Sequence, residues 1–262
     1  MSPLVHREAV PDGEPAGTLV CLHGYPESSY MWRHVMAAIA DEGRRAIAPD
    51  LAGFGDSEPD PPGTWERHVA DVDEFVGRLG VDEVVLCVHD WGGLIGLRWA
   101  TELGQDRVRA LIISDTGFFP DGKWHGMAKV LRTEGDGEAA LAAIDRAGFD
   151  AMLRSMSPGL DDAALNEYWK GYEGEGRRRG HLEMYRSGDF EKLAGHDLAA
   201  LGVPVLLLWG ADDPFAPIAG AHRFQRELPD TRLHVIEGTG HFVFDDAPDE
   251  AARAVVDFLA TL

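Results

Sequence analysis

Residues 85–94 read Val85-Leu86-Cys87-Val88-His89-Asp90-Trp91-Gly92-Gly93-Leu94. An apolar run stops at a polar pair and two glycines, and a helical pattern then resumes over 93–103. The layout is that of a buried strand, a tight turn and a helix. The same unit recurs outward in both directions. Strand-length apolar runs stand at 17–23, 45–50, 83–88, 108–115, 203–210 and 232–238. Helical patterns lie between or after them at 30–42, 65–80, 93–103, near 218–228 and over 248–261. Strands that are continuously apolar and separated by helices are buried on both sides, so the pattern predicts an α/β fold: a mostly parallel sheet with helices on both faces.

The rhythm breaks between about 118 and 200, where helical patterns occur without a convincing strand. The chain is accordingly divided into a core of residues 1–117 and 199–262 and an inserted helical cap of residues 118–198. Ligands of open α/β sheets bind beyond the carboxyl ends of the strands, and the insertion is expected to roof that edge.

The 262 residues carry 45 acidic against 24 basic side chains, a formal charge of −21. Such a balance argues against nucleic acid and anionic membranes as partners. No apolar run reaches 18 residues, and the opening MSPLVHREAVPDGEPAG has no apolar signal core, so a soluble, cytoplasmic protein is expected. Cys21 and Cys87 each lie inside an apolar run and read as buried small hydrophobes rather than zinc ligands. Neither a metal nor another cofactor is expected. The oligomeric state is left open by the sequence.

Asp90 occupies the tip of the strand-to-helix turn, the place of a nucleophile elbow, although Val88 stands where that pattern has its first glycine. Its bland alternative is a helix N-cap. Further on, Trp209-Gly210-Ala211-Asp212-Asp213-Pro214 follows a strand and offers Asp213 as an acid. Gly238-Thr239-Gly240-His241 follows the last strand and offers a histidine. Asp115, ending the strand at 108–115, is the rival acid. Near the start, Leu22-His23-Gly24-Tyr25-Pro26 opens a loop whose Tyr25 N–H, paired with that of Trp91, would make an oxyanion hole.

Five segments, HGYPESSYMWR, APDLAGFGDSE, VHDWGG, WGADDPFAP and GTGHFV, frame nearly the whole core in this order. Together they make the chain resemble an α/β-hydrolase of the group containing epoxide hydrolases and haloalkane dehalogenases. The resemblance implies the α/β-hydrolase fold with a helical cap and Asp90, Asp213 and His241 as its catalytic residues.

A carboxylate is already ionised at neutral pH. It is poorly suited to acyl transfer, because attack on an ester would give an anhydride. It is suited to displacement at a saturated carbon, which leaves an alkyl ester on the aspartate. His241, oriented by Asp213, would then activate water against that ester.

The leaving group separates two readings. A halide needs two N–H donors, whereas an epoxide oxygen needs a proton donor. Trp91 serves either. Of the second halide donors found in dehalogenases, the asparagine after His-Gly is replaced here by Tyr25, and a cap tryptophan by Met156 in a loose alignment. SSYMWR and GFGDSE are nevertheless closer to dehalogenases, as is Asp115 at an acid position of one subgroup. The segment EMYRSGDF resembles the place of a ring-opening tyrosine, giving Tyr185, and GKWHGMAKVL that of its partner, giving His125. Trp124 is the rival of His125 and a candidate halide donor. The arginines with which fluoroacetate dehalogenases hold a carboxylate are missing around Trp91 and Leu94, which disfavours a haloacid. The expected reaction is hydrolysis of a small apolar epoxide to a diol with water as co-substrate. The alternatives are haloalkane dehalogenation by the same residues and, in a different class, a non-catalytic receptor for a small ligand.

Overall fold

The computed structural model describes residues 2–262 and is organised around one seven-stranded sheet. In chain order its strands are β1 (His6–Ala9), β2 (Thr18–Leu22), β3 (Arg45–Pro49), β4 (Val84–His89), β5 (Val108–Ser114), β6 (Val205–Gly210) and β7 (Thr231–Ile236). In space they run β1-β3-β2-β4-β5-β6-β7, all parallel except β1, which is antiparallel to β3. Each apolar run of the sequence is a strand, with ends displaced by at most two residues. β1 escaped the pattern. Its four residues, His-Arg-Glu-Ala, bury little and are held through backbone pairing with Ala46–Pro49, so no hydrophobic signal marks them.

The helices before the insertion are α1 (Arg33–Asp41), α2 (Trp65–Arg78) and α3 (Asp90–Glu102). Between β5 and β6 come α4 (Gly126–Arg132), α5 (Asp136–Ala143), α6 (Arg146–Met156), α7 (Asp162–Trp169) and α8 (Glu175–Ser187). That stretch holds no strand among the described residues. Asp145 and Asp161 start α6 and α7 by accepting the N–H groups of Gly148 and Ala164, ordinary N-caps. The chain closes with α9 (Ala219–Glu227), α10 (Val243–Asp246) and α11 (Pro248–Leu259). α1 packs on β3 and α11 on β6, yet the two helices touch, so they bridge one face of the sheet. α3 covers β2, β4 and β5 and pairs with α2, which places that pair on the other face. β2, β4 and β6 are buried along their whole length, as a doubly covered sheet requires.

From β2 the chain steps to β3 on one side, and from β4 onward it proceeds on the other. The carboxyl ends of β2 and β4 therefore flank a crevice at the point where the winding reverses, the place where such sheets bind ligands. β4 delivers Asp90 to that crevice, and the loop after β2 delivers Gly24 and Tyr25.

α3 begins at Asp90, three residues earlier than the apolar pattern indicated, because the two glycines belong to the helix. They are there for space. A Cβ on Gly92 would stand 2.2 Å from the carbonyl oxygen of Leu22, and one on Gly93 2.4 Å from the Thr116 hydroxyl. Gly96, one turn on, leaves the room that the Val88 side chain fills, since a Cβ there would meet Val88 at 2.8 Å. This accounts for a valine where the elbow pattern usually has glycine. Gly92→Ala is expected to overpack the contact with β2 and to cost about 1–3 kcal/mol, read from the midpoint of urea unfolding. An unchanged midpoint would mean that the helix is free to move away from β2.

Candidate active site

The backbone of Asp90 is held at φ +46°, in the left-handed region that few non-glycine residues adopt. Two contacts fix it there. The Thr116 hydroxyl donates to the Asp90 carbonyl at 2.7 Å. On the other side Gly24 lies so close that a Cβ would meet the Asp90 Cβ at 2.4 Å. The carboxylate projects from the turn with about a fifth of its side chain exposed (21%). Its Oδ1 accepts the Tyr25 N–H at 2.7 Å, and its Oδ2 faces the His241 Nε2 at 3.6 Å. The N–H of Trp91 belongs to the first turn of α3, where no intrahelical acceptor exists. Asp90 is thus the first residue of a helix rather than its cap, which is His89.

His241 follows β7 and is buried. Its Nδ1 bonds Asp213 Oδ2 at 2.7 Å. The other oxygen of Asp213 accepts the N–H groups of Phe215 and Ala216 at 2.7 and 3.0 Å, which fixes the carboxylate beyond β6. The neighbouring Asp212 is exposed. Asp115 is also buried, but its oxygens are occupied elsewhere: Oδ1 accepts the Gly210 N–H at 3.0 Å and Oδ2 the Ser114 hydroxyl at 2.6 Å. Of the two candidate acids, Asp213 holds the histidine. Ligand atoms of Asp115, Asp213 and His241 lie within 4.8 Å of one another, the spacing of a metal site. Their lone pairs are largely spent on these internal hydrogen bonds, so the trio reads as an acid–base network.

The insertion contributes the remaining candidates. Tyr185, on α8, is buried with its ring edge-on to Trp91 and Tyr25, centroids 5.1 Å away in both cases. His125 precedes α4 and its Nδ1 accepts the Ala128 N–H at a long 3.4 Å, which leaves Nε2 to carry the proton of the neutral ring. Tyr185 and His125 share one small cavity with Asp90 and His241. Met156, placed by alignment at a halide-binding position, lines that cavity too. Trp124 lies instead along a larger cavity and stacks on Trp91, centroids 5.4 Å apart and planes 23° from parallel.

A model of the alpha/beta hydrolase fold matches residues 17–248. The chain belongs to that family. It is 30% identical to haloalkane dehalogenase 2 of Mycobacterium tuberculosis over 260 residues, covering 95% of this chain and 89% of the relative. It is 31% identical to the soluble epoxide hydrolase of a Corynebacterium species over 265 residues, covering 93% and 90%. In structure it superposes on the haloalkane dehalogenase DbeA of Bradyrhizobium elkani with a TM-score of 0.83 at 24% identity, covering 98% and 93% of the two chains; at that identity the match speaks to fold alone. The hydrolase therefore stands in the group that holds dehalogenases and epoxide hydrolases. No helix among its described residues is long and apolar enough to cross a membrane.

Charge in the hydrolase site is organised around His241. Burial disfavours the charged ring, but the Asp213 carboxylate, and behind it Asp90, raise its pKa well above the usual value. The effect is mutual. Burial would raise Asp213, yet His241 and the two backbone N–H groups bring it down to about 2. Asp90 is likewise lowered despite its burial, chiefly by the His241 ring. Asp115 goes the other way: burial, then the charge of Asp213, raise its pKa well above the usual carboxylate value. In Tyr185 burial and the Asp90 charge hold the phenol proton in place. In His125 burial favours the neutral ring.

Two residues of this network were not singled out in the sequence. His89 bonds the His241 carbonyl through Nε2 at 2.9 Å, and its Nδ1 faces Glu27 Oε2 at 2.9 Å, with both side chains fully buried. Burial opposes its charge, but Glu27 raises its pKa to about 8. The signal available was an ionisable residue inside each of two apolar motifs, HGYPES and VLCVHDW.

The His241 pair yields a prediction. A raised folded value means that the imidazolium and its stabilising contribution are complete below pH ~6.5 and are lost only as pH rises through the folded pKa. The His241 ring resonance should therefore remain that of the protonated form well above pH ~6.5, and Asp213→Asn should move its titration to lower pH. An NMR titration midpoint near the free value in the unsubstituted protein would show that the two carboxylates do not share the proton as described.

Proposed function

We propose that this hydrolase opens a small apolar epoxide to a diol through an alkyl ester on Asp90, with residues 118–198 acting as the cap of the site. The observation that carries this reading is the buried Tyr185, which lines one small cavity together with Asp90, His241 and His125. Asp90 Oδ1 is engaged by the Tyr25 N–H, so Oδ2 is the free nucleophile. It attacks an oxirane carbon, the carbon–oxygen bond breaks, and the departing oxygen takes a proton from Tyr185 with His125 as a second donor. The tyrosinate regains its proton from the His241 imidazolium, relayed through water, which restores the phenol and leaves the ring neutral.

The second half follows from charge. Alkylation neutralises Asp90 and removes one of the two anions that hold the proton on His241, so a neutral base becomes accessible once the ester exists. His241, held by Asp213, then takes a proton from water. The water attacks the ester carbonyl, and its oxygen becomes an anion facing the N–H groups of Tyr25 and Trp91. Collapse of that intermediate breaks the bond to the alkyl oxygen, which takes the proton of the newly formed carboxyl, so the Asp90 carboxylate returns, the diol leaves and His241 is again protonated. Asp115, bonded to Ser114 and Gly210, has no direct part in this sequence.

Haloalkane dehalogenation remains the second reading, favoured by the Trp91 indole and by the 30% identical dehalogenase. Against it stands the position of Trp124, which stacks on Trp91 beside the larger cavity, while Tyr25 and Met156 offer no second N–H side-chain donor for a halide.

Intact-protein mass spectrometry of His241→Gln separates the readings, because the ester should accumulate without the base. An epoxide adds its whole mass, and a haloalkane adds its alkyl group without the halide. Adducts from epoxides are the expected result, and adducts from haloalkanes alone would replace the reading with dehalogenation. Asp90→Ala should remove both the adduct and turnover. Tyr185→Phe should slow alkylation by epoxides about 10²-fold or more and by haloalkanes far less; equal slowing would make Tyr185 a packing residue. Stabilisation by a ligand with neither adduct nor product would point to a receptor.

A further inference from the structure

Two cavities of unequal size meet at Asp90. The larger, about 270 Å³, runs past Leu94, Phe119, Trp124, Phe190 and Phe215. The smaller, about 20 Å³, lies against His241 and Tyr185 and is closed by Met127, Met152, Met156 and Phe242. His125 and Phe215 line both and form the partition, with ring centroids 5.0 Å apart at 60°. Phe215 also stands edge-on to His241 at 5.3 Å, so the partition is braced against the catalytic histidine.

The sizes assign the contents. A cavity of roughly 10–15 Å³ admits one water, provided that it offers two or more polar partners. The smaller compartment meets that size and supplies His241, Tyr185 and Asp90. It has room for the water of the second step and for little else. The larger compartment lies near the lower limit of the roughly 300–1,000 Å³ typical of small-molecule sites, and its walls are mainly apolar and aromatic, with Lys123, Thr116 and Asp115 as polar members. A substrate carbon attacked by Asp90 can therefore extend in one direction only.

We propose, on the basis of the Asp90 ester chemistry above, that the substrates are epoxides with a single apolar arm. The alkyl or aryl arm lies along Leu94, Phe119 and Phe190, and the oxirane ring sits at the junction of the two compartments over Asp90, its oxygen turned to Tyr185 and its unsubstituted carbon towards the methionine wall. Met152 and Met156 are then specificity-determining residues, because their side chains occupy the volume that a second substituent would need. A substituent on both oxirane carbons would have to displace the water compartment or press on the Phe215–His241 contact. Either consequence acts on the reaction as well as on binding.

The test uses two isomers of one composition, 1,2-epoxyhexane and trans-2,3-epoxyhexane, so that hydrophobicity stays nearly constant. For the unsubstituted enzyme, kcat/KM is expected to favour the terminal isomer by about tenfold or more, the scale on which a misplaced methylene is rejected. In Met152→Ala and Met156→Ala that ratio should fall by a similar factor, through a gain on the internal isomer. Equal kcat/KM values for the two isomers in the unsubstituted enzyme would overturn the inference, whether or not the variants fold. A preserved ratio in variants that melt as cooperatively as the parent would also overturn it. The rate of ester formation on His241→Gln locates any failure. Adducts from both isomers at equal rates remove the one-arm restriction and leave the Asp90 chemistry standing. No adduct from either removes that chemistry, and this inference with it.

Discussion

The carbonyl oxygen of Leu22 lies against the α carbon of Gly92, and the site depends on that contact. Because the start of α3 sits directly on the end of β2, the chain must turn within one residue of leaving β4. That residue is Asp90, forced to φ +46°. The same closeness brings the loop after β2 within reach, so the Tyr25 N–H meets the Asp90 carboxylate at 2.7 Å. A strained aspartate, its hydrogen-bond donor and the first free N–H groups of a helix arise from a single packing constraint. The glycines of the elbow are the part of the sequence that pays for it.

The second organising element is the division of charge among buried acids and bases. Four carboxylates, three imidazoles and a phenol are close enough to influence one another, and burial penalises every charge among them. The cost is reduced by alternation. The Asp213 and Asp90 carboxylates flank His241 and favour its charged form, burial and the charge of Asp213 push Asp115 towards its neutral form, and Glu27 is matched with His89. In the proposed cycle no side chain has to change place between the two half-reactions. The loss of one anion is enough to convert the histidine from a counter-ion into a base.

Much of this was legible because the carriers are local. Six strands announced themselves through largely apolar runs, broken only by Arg109 in β5 and by Arg232 and His234 in β7, and Asp90, Asp213 and His241 each follow a strand in an order that a sheet of this kind converts into proximity. His125 and Tyr185 were suggested by the resemblance of their segments to known cap segments, and both line the small cavity at Asp90. Other features depend on contacts between distant segments and left no local trace. The choice between Asp115 and Asp213 rests on which oxygen reaches His241 after folding. Glu27 is meaningful only opposite His89, 62 positions later by their numbers. Phe215 reads as an ordinary apolar residue after the Asp213-Pro214 pair, and its place as a wall between cavities is visible only once His125, just before α4, lies across from it. The start of α3 was misplaced because glycine normally signals a turn, whereas here it marks a helix pressed against a strand.

β1, the strand without a hydrophobic pattern, has a bearing on how copies of the molecule meet. An exposed edge of a sheet is a template on which another chain can add its own strand. β1 closes one end of this sheet with Arg7 and Glu8 rather than with apolar residues, and both are tied down, Arg7 to Glu167 of α7 and Glu8 to Arg45 of β3. An incoming strand would have to break those pairs and approach a surface carrying a net charge of −21. The least conspicuous segment of the fold thus guards it against edge-to-edge aggregation.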